Sequence, residues 1–450
     1  MTATHSSIEQ YIPPLVRSQI SARARETLST LQKFIEEDCL PADNLFHSHF
    51  ANINGKQRFQ SIAPVIEPLK TKAKSLKLWN LFLSNQYEEG AGYSNLEYGL
   101  MCQLIGRSYV AAEVTNTAAP DTGNMEILAK YGSVTQKRKW LQPLLNGEIR
   151  SAFLMTEKGI SSSNALNISL SCKKINDGRS LVLNGTKWFA SGAGDPRCSV
   201  WLTMALTNPS AINPYHRHSI ILIDSKRALA TGRARIVRPL EVFGFDDAPH
   251  GHCEIVFDDL VVPLETLGSE GQGFAIIQSR LGPGRIHHCM RIIGIGEEAL
   301  NQALHRAANR HIFGELFVKR ESFITGFAEQ RIKLERVKLL VLQAALKIDQ
   351  DGVKAAKKEI ALAKIDAPRT VLDIVDWAIQ VFGAEGVSQD TPLTRFWIYC
   401  RMCRIADGPD EAHLNQVGKD ICKDGVKRVD SLYKSIEKDT RRLQKREQKL

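Results

Sequence analysis

The sequence predicts a three-part fold: an all-α N-terminal domain, a middle β-barrel or sandwich domain, and a C-terminal bundle of long helices. Three observations predict it. Apolar residues recur at helical spacing through the first third. Short β-prone runs parted by turn residues then fill about a hundred residues. After Gly273 the helical period returns and the periodic stretches lengthen. These changes divide the chain into residues 1–150, 151–265 and 266–423, with 424–450 a basic tail.

The elements follow in order. Ile20, Leu28, Leu31, Phe34 and Ile35 mark one apolar helix face, and Leu96, Leu100, Leu104 and Ile105 another. Tyr131-Gly132 breaks the pattern before TQKRKWLQPLL resumes it. From Ser151 onward, strand alternation surrounds Asn184-Gly185, a dipeptide that signals a hairpin turn. VWLTMALT, HSIILIDS, ARIVRPLEVFG and HCEIVFDDLVVP are the further strands. In the last part Leu334, Val337, Val341, Ala344, Ala345 and Ile348 form a long apolar face, and Pro368 interrupts the next helix.

Composition narrows the class. Hydrophobic content of 43% and charged content of 24% are ordinary for a globular protein. No apolar window is long enough for a membrane span. The start, MTATHSSIEQYIPP, lacks the features of a secretory signal or an Arg-rich presequence. Nine dispersed cysteines suit free thiols in a reducing compartment. Cys400 and Cys403 form a CxxC within an apolar helical pattern, which favours packing over metal binding. Net charge is +10, and from Lys423 onward ten Lys/Arg face five Asp/Glu, read as a solvated basic tail ahead of an attraction for polyanions such as CoA, membranes or nucleic acid. Neither a GxGxxG after a strand nor a Walker loop occurs. No metal centre and no nucleic-acid partner are expected. The location is read as intracellular, in peroxisome, mitochondrion or cytoplasm; the final Gln-Lys-Leu is similar to the peroxisomal Ser-Lys-Leu address.

Four constellations could carry chemistry. Ala152 to Glu157 runs as an apolar strand end into the hydroxyl-rich turn Ser161-Ser162-Ser163-Asn164, where N–H and hydroxyl groups can bind a polar cofactor edge or a phosphate. An ordinary turn has the same composition. Trp188-Phe189-Ala190-Ser191 places aromatics beside a hydroxyl, suited to a planar ring or to a β core. Gly282-Pro283-Gly284, in a helical stretch, marks either a helix boundary or a close backbone approach. The adjacent Arg285, His287 and His288 point in different directions on a helix and do not suggest a metal set. Last, Asp407, Asp410 and Glu411 crowd one turn near Arg401 and Arg404, either as a paired acidic turn or with one carboxylate serving as a base.

In this order, from about Leu78 to Lys423, these stretches resemble the acyl-CoA dehydrogenase family. LWNLFL, APDTGNMEILAKYGS, SGAGDPRC, RLGPGRIHHCMR, KKEIALAKIDAPR, VDWAIQVFG and ADGPDEAH are similar to the dehydrogenase part of the branch holding mammalian family members 10 and 11. The resemblance implies a helical domain, a β domain and a four-helix bundle. It implies FAD as cofactor and an acyl-CoA as substrate. It further implies a homodimer or homotetramer, and electron-transferring flavoprotein or oxygen as acceptor. The implied reaction removes an α-proton and a β-hydride to give a trans-2-enoyl-CoA.

The resemblance also assigns residues. Asp407 falls where the family's Glu base falls, and the family's other base position is Gly284 here. Thr156, Ser162, Phe189 and Ser191 fall on flavin- or CoA-binding positions. Arg310 and Phe313 match R-x-x-F-G, and Gln380 and Gly383 match QxFGG, a loop that receives FAD from the partner subunit. Glu411 is placed near FAD, and Ser163, Arg285 and Gly408 near the acyl-CoA. Lys158, Asn164 and Phe189 depart from the family's Pro, Asp and Trp. Ala384-Glu385 replaces the second Gly of QxFGG and sets a negative charge beside a pyrophosphate position. Two other functions on the same fold are a flavin oxidase or monooxygenase and a DNA-binding flavoprotein.

Overall fold

The computed structural model describes residues 8–448. The first seven residues and the end of the Gln-Lys-Leu sequence lie outside them. The N-terminal part is helical. Its main elements are α1 (Ala22–Phe34), α2 (Leu40–Ala51), α3 (Ile66–Ser75), α4 (Asn95–Ile105) and α5 (Asp121–Tyr131). Ser94 and Glu97 close a capping box on α4. That helix is apolar nearly all round, and ten of its eleven residues are buried, as a helix hemmed in by others requires.

The strands come next: β1 (Arg150–Leu154), β2 (Ser171–Ile175), β3 (Ser180–Ser191), β4 (Cys198–Leu206), β5 (His218–Asp224), β6 (Ala234–Leu240), β7 (His252–Pro263) and β8 (Thr266–Leu267). They form one sheet in the order β6-β7-β3-β1-β4-β5-β8, with β2 pairing to β3 and β4. Most neighbours are antiparallel, but β1 and β4 run parallel. The two-residue period sorts β4 and β5 between two cores. Val200, Leu202, Met204, Ile220 and Leu222 join the helices. Trp201, Ala205, Ile221 and Ile223 close the β domain's own core with Phe257. Both faces are covered, so β4 is a continuous apolar run.

Asn184-Gly185 does not turn the chain, contrary to the hairpin predicted there. β3 passes straight through both residues. The turn falls earlier, at Asn176-Asp177-Gly178, where all three φ values are positive. Gly185 instead carries a shift in the β3–β7 register, at φ 135°. Asn184 bonds across to Asp259, donating to Oδ1 at 2.8 Å and accepting from its N–H at 2.8 Å.

The C-terminal part comprises α6 (Gly273–Asn309), a short hairpin of β9 (His311–Ile312) and β10 (Glu315–Leu316), α7 (Glu321–Ala355), α8 (Lys357–Phe382), α9 (Leu393–Cys403) and α10 (Asp410–Glu447). Gly352 breaks the helical conformation near the end of α7. Pro368 does not interrupt α8, contrary to expectation; the helix runs from Lys357 to Phe382 through it. Proline removes only the hydrogen bond to the carbonyl four residues earlier, and packing holds the rest. Cys400 and Cys403 are buried on α9 as packing residues. Residue 424 marks no break, because α10 continues across it. No described helix is long and apolar enough to cross a membrane.

Candidate functional site

Gly282-Pro283-Gly284 lies inside α6, which settles its two readings in favour of close approach. A Cβ at Gly282 would sit 2.6 Å from Val353 Cγ1, and one at Gly284 would sit 3.6 Å from Asp407 Oδ2. α6 thus passes the acidic turn at its glycine, where a larger side chain would fill the space in front of the carboxylate.

Asp407 stands on the α9–α10 connection with φ 55°, a rare conformation for a non-glycine residue, and Gly408 follows at φ 107°. The turn is clamped from three helices. Arg285 Nε on α6 donates to the Asp407 carbonyl at 2.8 Å. Lys364 Nζ on α8, itself buried, donates to the Cys403 carbonyl and to the Gly408 carbonyl at 3.4 Å. Asp410, opening α10, accepts from Arg369 Nε at 2.8 Å and Arg404 Nε at 2.9 Å. Of the three acidic residues, Asp410 is therefore buried and spoken for, and Glu411 is exposed. Asp407 alone has its backbone fixed and its side chain turned into a cleft, 22% exposed.

That cleft is lined by Pro120 and Gly123 from the N-terminal domain and by Arg280, Gly284, His288 and Arg291 from α6. The α6 residues recur at helical intervals and so share one face. His288 Nε2 lies 3.5 Å from Asp407 Oδ2, and its Nδ1 lies 2.8 Å from Tyr399 Oη. Arg291 donates to the same hydroxyl at 3.3 Å. The tyrosine O–H is then free to donate to Nδ1, which leaves Nε2–H toward the carboxylate. Burial pushes His288 down to about 4 in spite of Asp407, so the ring is neutral near pH 7. Burial likewise takes His287 to about 3, its ring edge-on to Tyr98. Burial acts on Asp407 in the upward direction, but His288, Arg280, Lys364 and Arg285 outweigh it and hold the carboxyl below the usual carboxylate range.

The β-domain candidates approach from the other side. Phe153 on β1 is the strand partner of Ser191, and the Arg280 guanidinium lies 3.9 Å over the Phe153 ring. Arg280 Nε also donates to Asn124 at 3.1 Å. Buried Arg280 thus links the strand paired at Ser191 with the cleft that holds Asp407. Ser191 Oγ lies 2.8 Å from His252 Nδ1. Phe189 has φ 52° at a register shift in β3, leaving its ring 36% exposed and edge-on to Trp188. The Trp188 Nε1 is buried with no hydrogen-bond partner among the described residues.

Thr156 opens the loop after β1, and a buried pair holds that loop. Lys187 Nζ donates to the Met155 carbonyl at 2.9 Å and to Glu157 at 2.8 Å. Glu157 also accepts from the N–H groups of Ser169 and Leu170, each at 2.9 Å, tying off the loop between. Burial lowers Lys187 to about 8. Ser162 Oγ is engaged by the Glu157 N–H at 3.2 Å, whereas Ser163 faces outward.

Arg310, Phe313, Gln380 and Gly383 are not brought to Asp407. They gather at the far end of the bundle, and each is exposed, Phe313 by 98%. From Arg285 to Arg310 is about 38 Å of helix. At that end Arg306 Nη2 meets Glu385 at 2.7 Å and lies over the Phe382 ring. The negative charge read from the sequence is thus matched by a cation.

These residues fit a long, anionic, flat-ended cofactor. One end of the site offers an exposed aromatic face, two hydroxyls and an orphaned indole N–H; the other offers an arginine and an open glycine turn. Sequence reading missed Arg280, His288 as a neighbour of Asp407, Lys364, and the Glu157–Lys187 pair. The α6 residues could have been found as polar side chains at i, i+8 and i+11, with glycine at i+4, on one face of a helix. Lys364 had no such signal. Among the described residues, no three His, Cys, Asp or Glu side chains gather to hold a metal.

Known proteins divide along the same lines. The family model for the acyl-CoA dehydrogenase N-terminal domain matches residues 21–148, that for the middle domain 152–260, and that for the C-terminal domain 271–422. The chain is 43% identical over 410 residues to acyl-CoA dehydrogenase family member 11 of Homo sapiens, covering 90% of this chain and 51% of that protein. It is 47% identical over 358 residues to FadE2 of Mycobacterium tuberculosis, described as a probable acyl-CoA dehydrogenase, covering 79% of this chain and 85% of that one. It spans about half the length of the family member 11 proteins it matches. A solved Mycobacterium abscessus structure described as an acyl-CoA dehydrogenase has 40% identity and a TM-score of 0.83, covering 89% of this chain and 98% of that one. Butyryl-CoA dehydrogenase from Megasphaera elsdenii shares the fold at 24% identity and a TM-score of 0.72, with the same coverage.

Proposed function

The chain belongs to the acyl-CoA dehydrogenase family, and from that premise we propose that it oxidises an acyl-CoA thioester to the trans-2-enoyl-CoA with FAD as cofactor and Asp407 as base. One observation carries the assignment. Asp407 is the carboxylate of its turn whose backbone is clamped while its side chain is free in a cleft, opposite the glycine of α6.

The α-proton of a thioester is weakly acidic, so its removal needs both a base and stabilisation of the thioester oxygen. Asp407 takes the proton. The N–H groups of Asp407 and Gly408 find no acceptor among the described residues and are available to donate to that oxygen. In the open cleft the cations keep Asp407 ionised and ready. When an acyl chain displaces water, burial grows and raises its basicity. The β-hydrogen leaves as hydride, and FAD, when bound, supplies the acceptor for it. Thr156, Phe189 and Ser191 hold the ring end. Arg310, Phe313, Gln380 and Gly383 hold the adenosine diphosphate end across the interface of a homodimer or homotetramer. Arg285, Ser163 and Gly408 bind the acyl-CoA, and electrons pass to an electron-transferring flavoprotein or to oxygen.

The test is a visible spectrum followed by anaerobic addition of a panel of acyl-CoAs. Flavin absorbance that bleaches with an acyl-CoA is expected. A colourless protein that cannot be reconstituted with FAD would overturn the reading.

A further inference from the structure

Among the described residues, the C-terminal half of α10 packs against no other element. His413 and Val417 are buried, but from Ile421 to Arg446 every residue except Gly425 is exposed. At the 100° step of an α-helix, Ile421, Val429, Leu432, Tyr433, Ile436 and Leu443 fall on one face, an arc of about 140° once Val426 is included. Each is more than 40% exposed. Of the nine Lys/Arg between residues 423 and 447, six lie on the opposite face; Asp424, Asp430 and Glu437 also lie outside the stripe, whereas Asp439 falls at its edge beside Ile421. A solvated tail, as read from the sequence, needs no such sorting of apolar from basic residues.

The arrangement discriminates among occupants. A second copy of the helix would use a narrow seam with complementary charges beside it. Here the stripe is wide, and Arg428, Arg442 and Arg446 edge one side of it, so pairing two such helices in parallel would set like charges together. A duplex would engage the basic face and leave the apolar stripe in water. An anionic lipid surface meets both faces at once: the stripe enters the acyl boundary and the cations meet the headgroups. We propose that α10 beyond Val417 docks this protein on the surface of anionic membranes, lying in the interface rather than crossing it. This does not rest on the flavin reading.

The test uses the full chain and flotation with vesicles of phosphatidylcholine, with and without phosphatidylserine. Binding is expected on the anionic vesicles and is expected to weaken as salt rises. Arg441→Ala with Arg442→Ala should weaken it roughly 30-fold, since each cation near an anionic surface counts for about fivefold. Leu432→Glu with Ile436→Glu should abolish it while leaving activity and melting temperature unchanged, because both side chains are exposed. Absence of binding, or equal binding to neutral vesicles, would overturn the proposal. So would light scattering in which the Leu432/Ile436 variant dissociates an oligomer, which would assign the stripe to a second copy.

Discussion

Asp407 has to be ionised before substrate arrives and basic enough afterwards, and its surroundings supply the first condition. Arg280, Lys364 and Arg285 are fixed cations, so in the free protein its carboxyl stays below the usual range. A group with a lowered pKa remains charged until the pH falls through that value. The acid limb of kcat/KM, which reports the free enzyme, is therefore expected below the ordinary aspartate value, and a pH–rate profile measures it. A limb near pH 6 would mean that a different group is the base. No motif in the chain reveals this balance. Asp407 itself was legible as a carboxylate before glycine, but the residues that set its charge come from helices more than forty positions away. Glu385 shows the converse: its charge was plain in the sequence, whereas its partner Arg306 lies on another helix and emerges only from packing.

At the scale of elements, two clamps hold the site and each can be released alone. Lys364→Met leaves the Cys403 and Gly408 carbonyls without their donor, which should cost about 1–3 kcal/mol in unfolding free energy. It also removes a cation near Asp407, so the acid limb of kcat/KM should move to higher pH; a purely structural lysine would leave that limb in place. Glu157→Gln strands the buried Lys187 ammonium and should destabilise the β domain by about 3 kcal/mol, read from the urea midpoint. A third linkage joins the N-terminal and β domains. His250, before β7, meets Asp195 at 2.8 Å and Glu113 at 3.1 Å. Burial and Arg150 pull its pKa down, but the two carboxylates win and raise it to about 9. Because the folded value is raised, the stabilisation is complete below about pH 6.5 and is lost as pH rises through about 9, on the order of 3 kcal/mol in all. Melting temperature against pH should show this decline, and His250→Gln should flatten it.

The helical periods and strand alternation were readable because burial repeats along each element. The failures were local signals overridden by tertiary structure. Asn184-Gly185 has turn chemistry, yet pairing with β7 and the Asn184–Asp259 bonds hold it in a strand. Pro368 has breaker chemistry, yet α8 is packed along its length.

At the scale of the whole molecule, the expected cofactor residues fall into two groups at opposite ends of α6, and one chain does not bring them together. The family resemblance implies a site completed by a second subunit, which no periodicity or motif chemistry in the sequence signals. Phe313 is 98% exposed at the tip of the β9–β10 hairpin, with φ 49°. Arg310→Ala is expected to weaken FAD retention by roughly tenfold or more without lowering the subunit's melting temperature in the absence of FAD. Absorbance of the gel-filtered protein, with its mass from light scattering, checks this.

The most direct measurement is anaerobic stopped-flow bleaching of the FAD-loaded protein by an acyl-CoA, comparing the native chain with Asp407→Asn at equal flavin content. Loss of a positioned general base should slow bleaching by about 100-fold to 10,000-fold while the oxidised flavin spectrum stays the same. Bleaching at the native rate in Asp407→Asn would contradict the account.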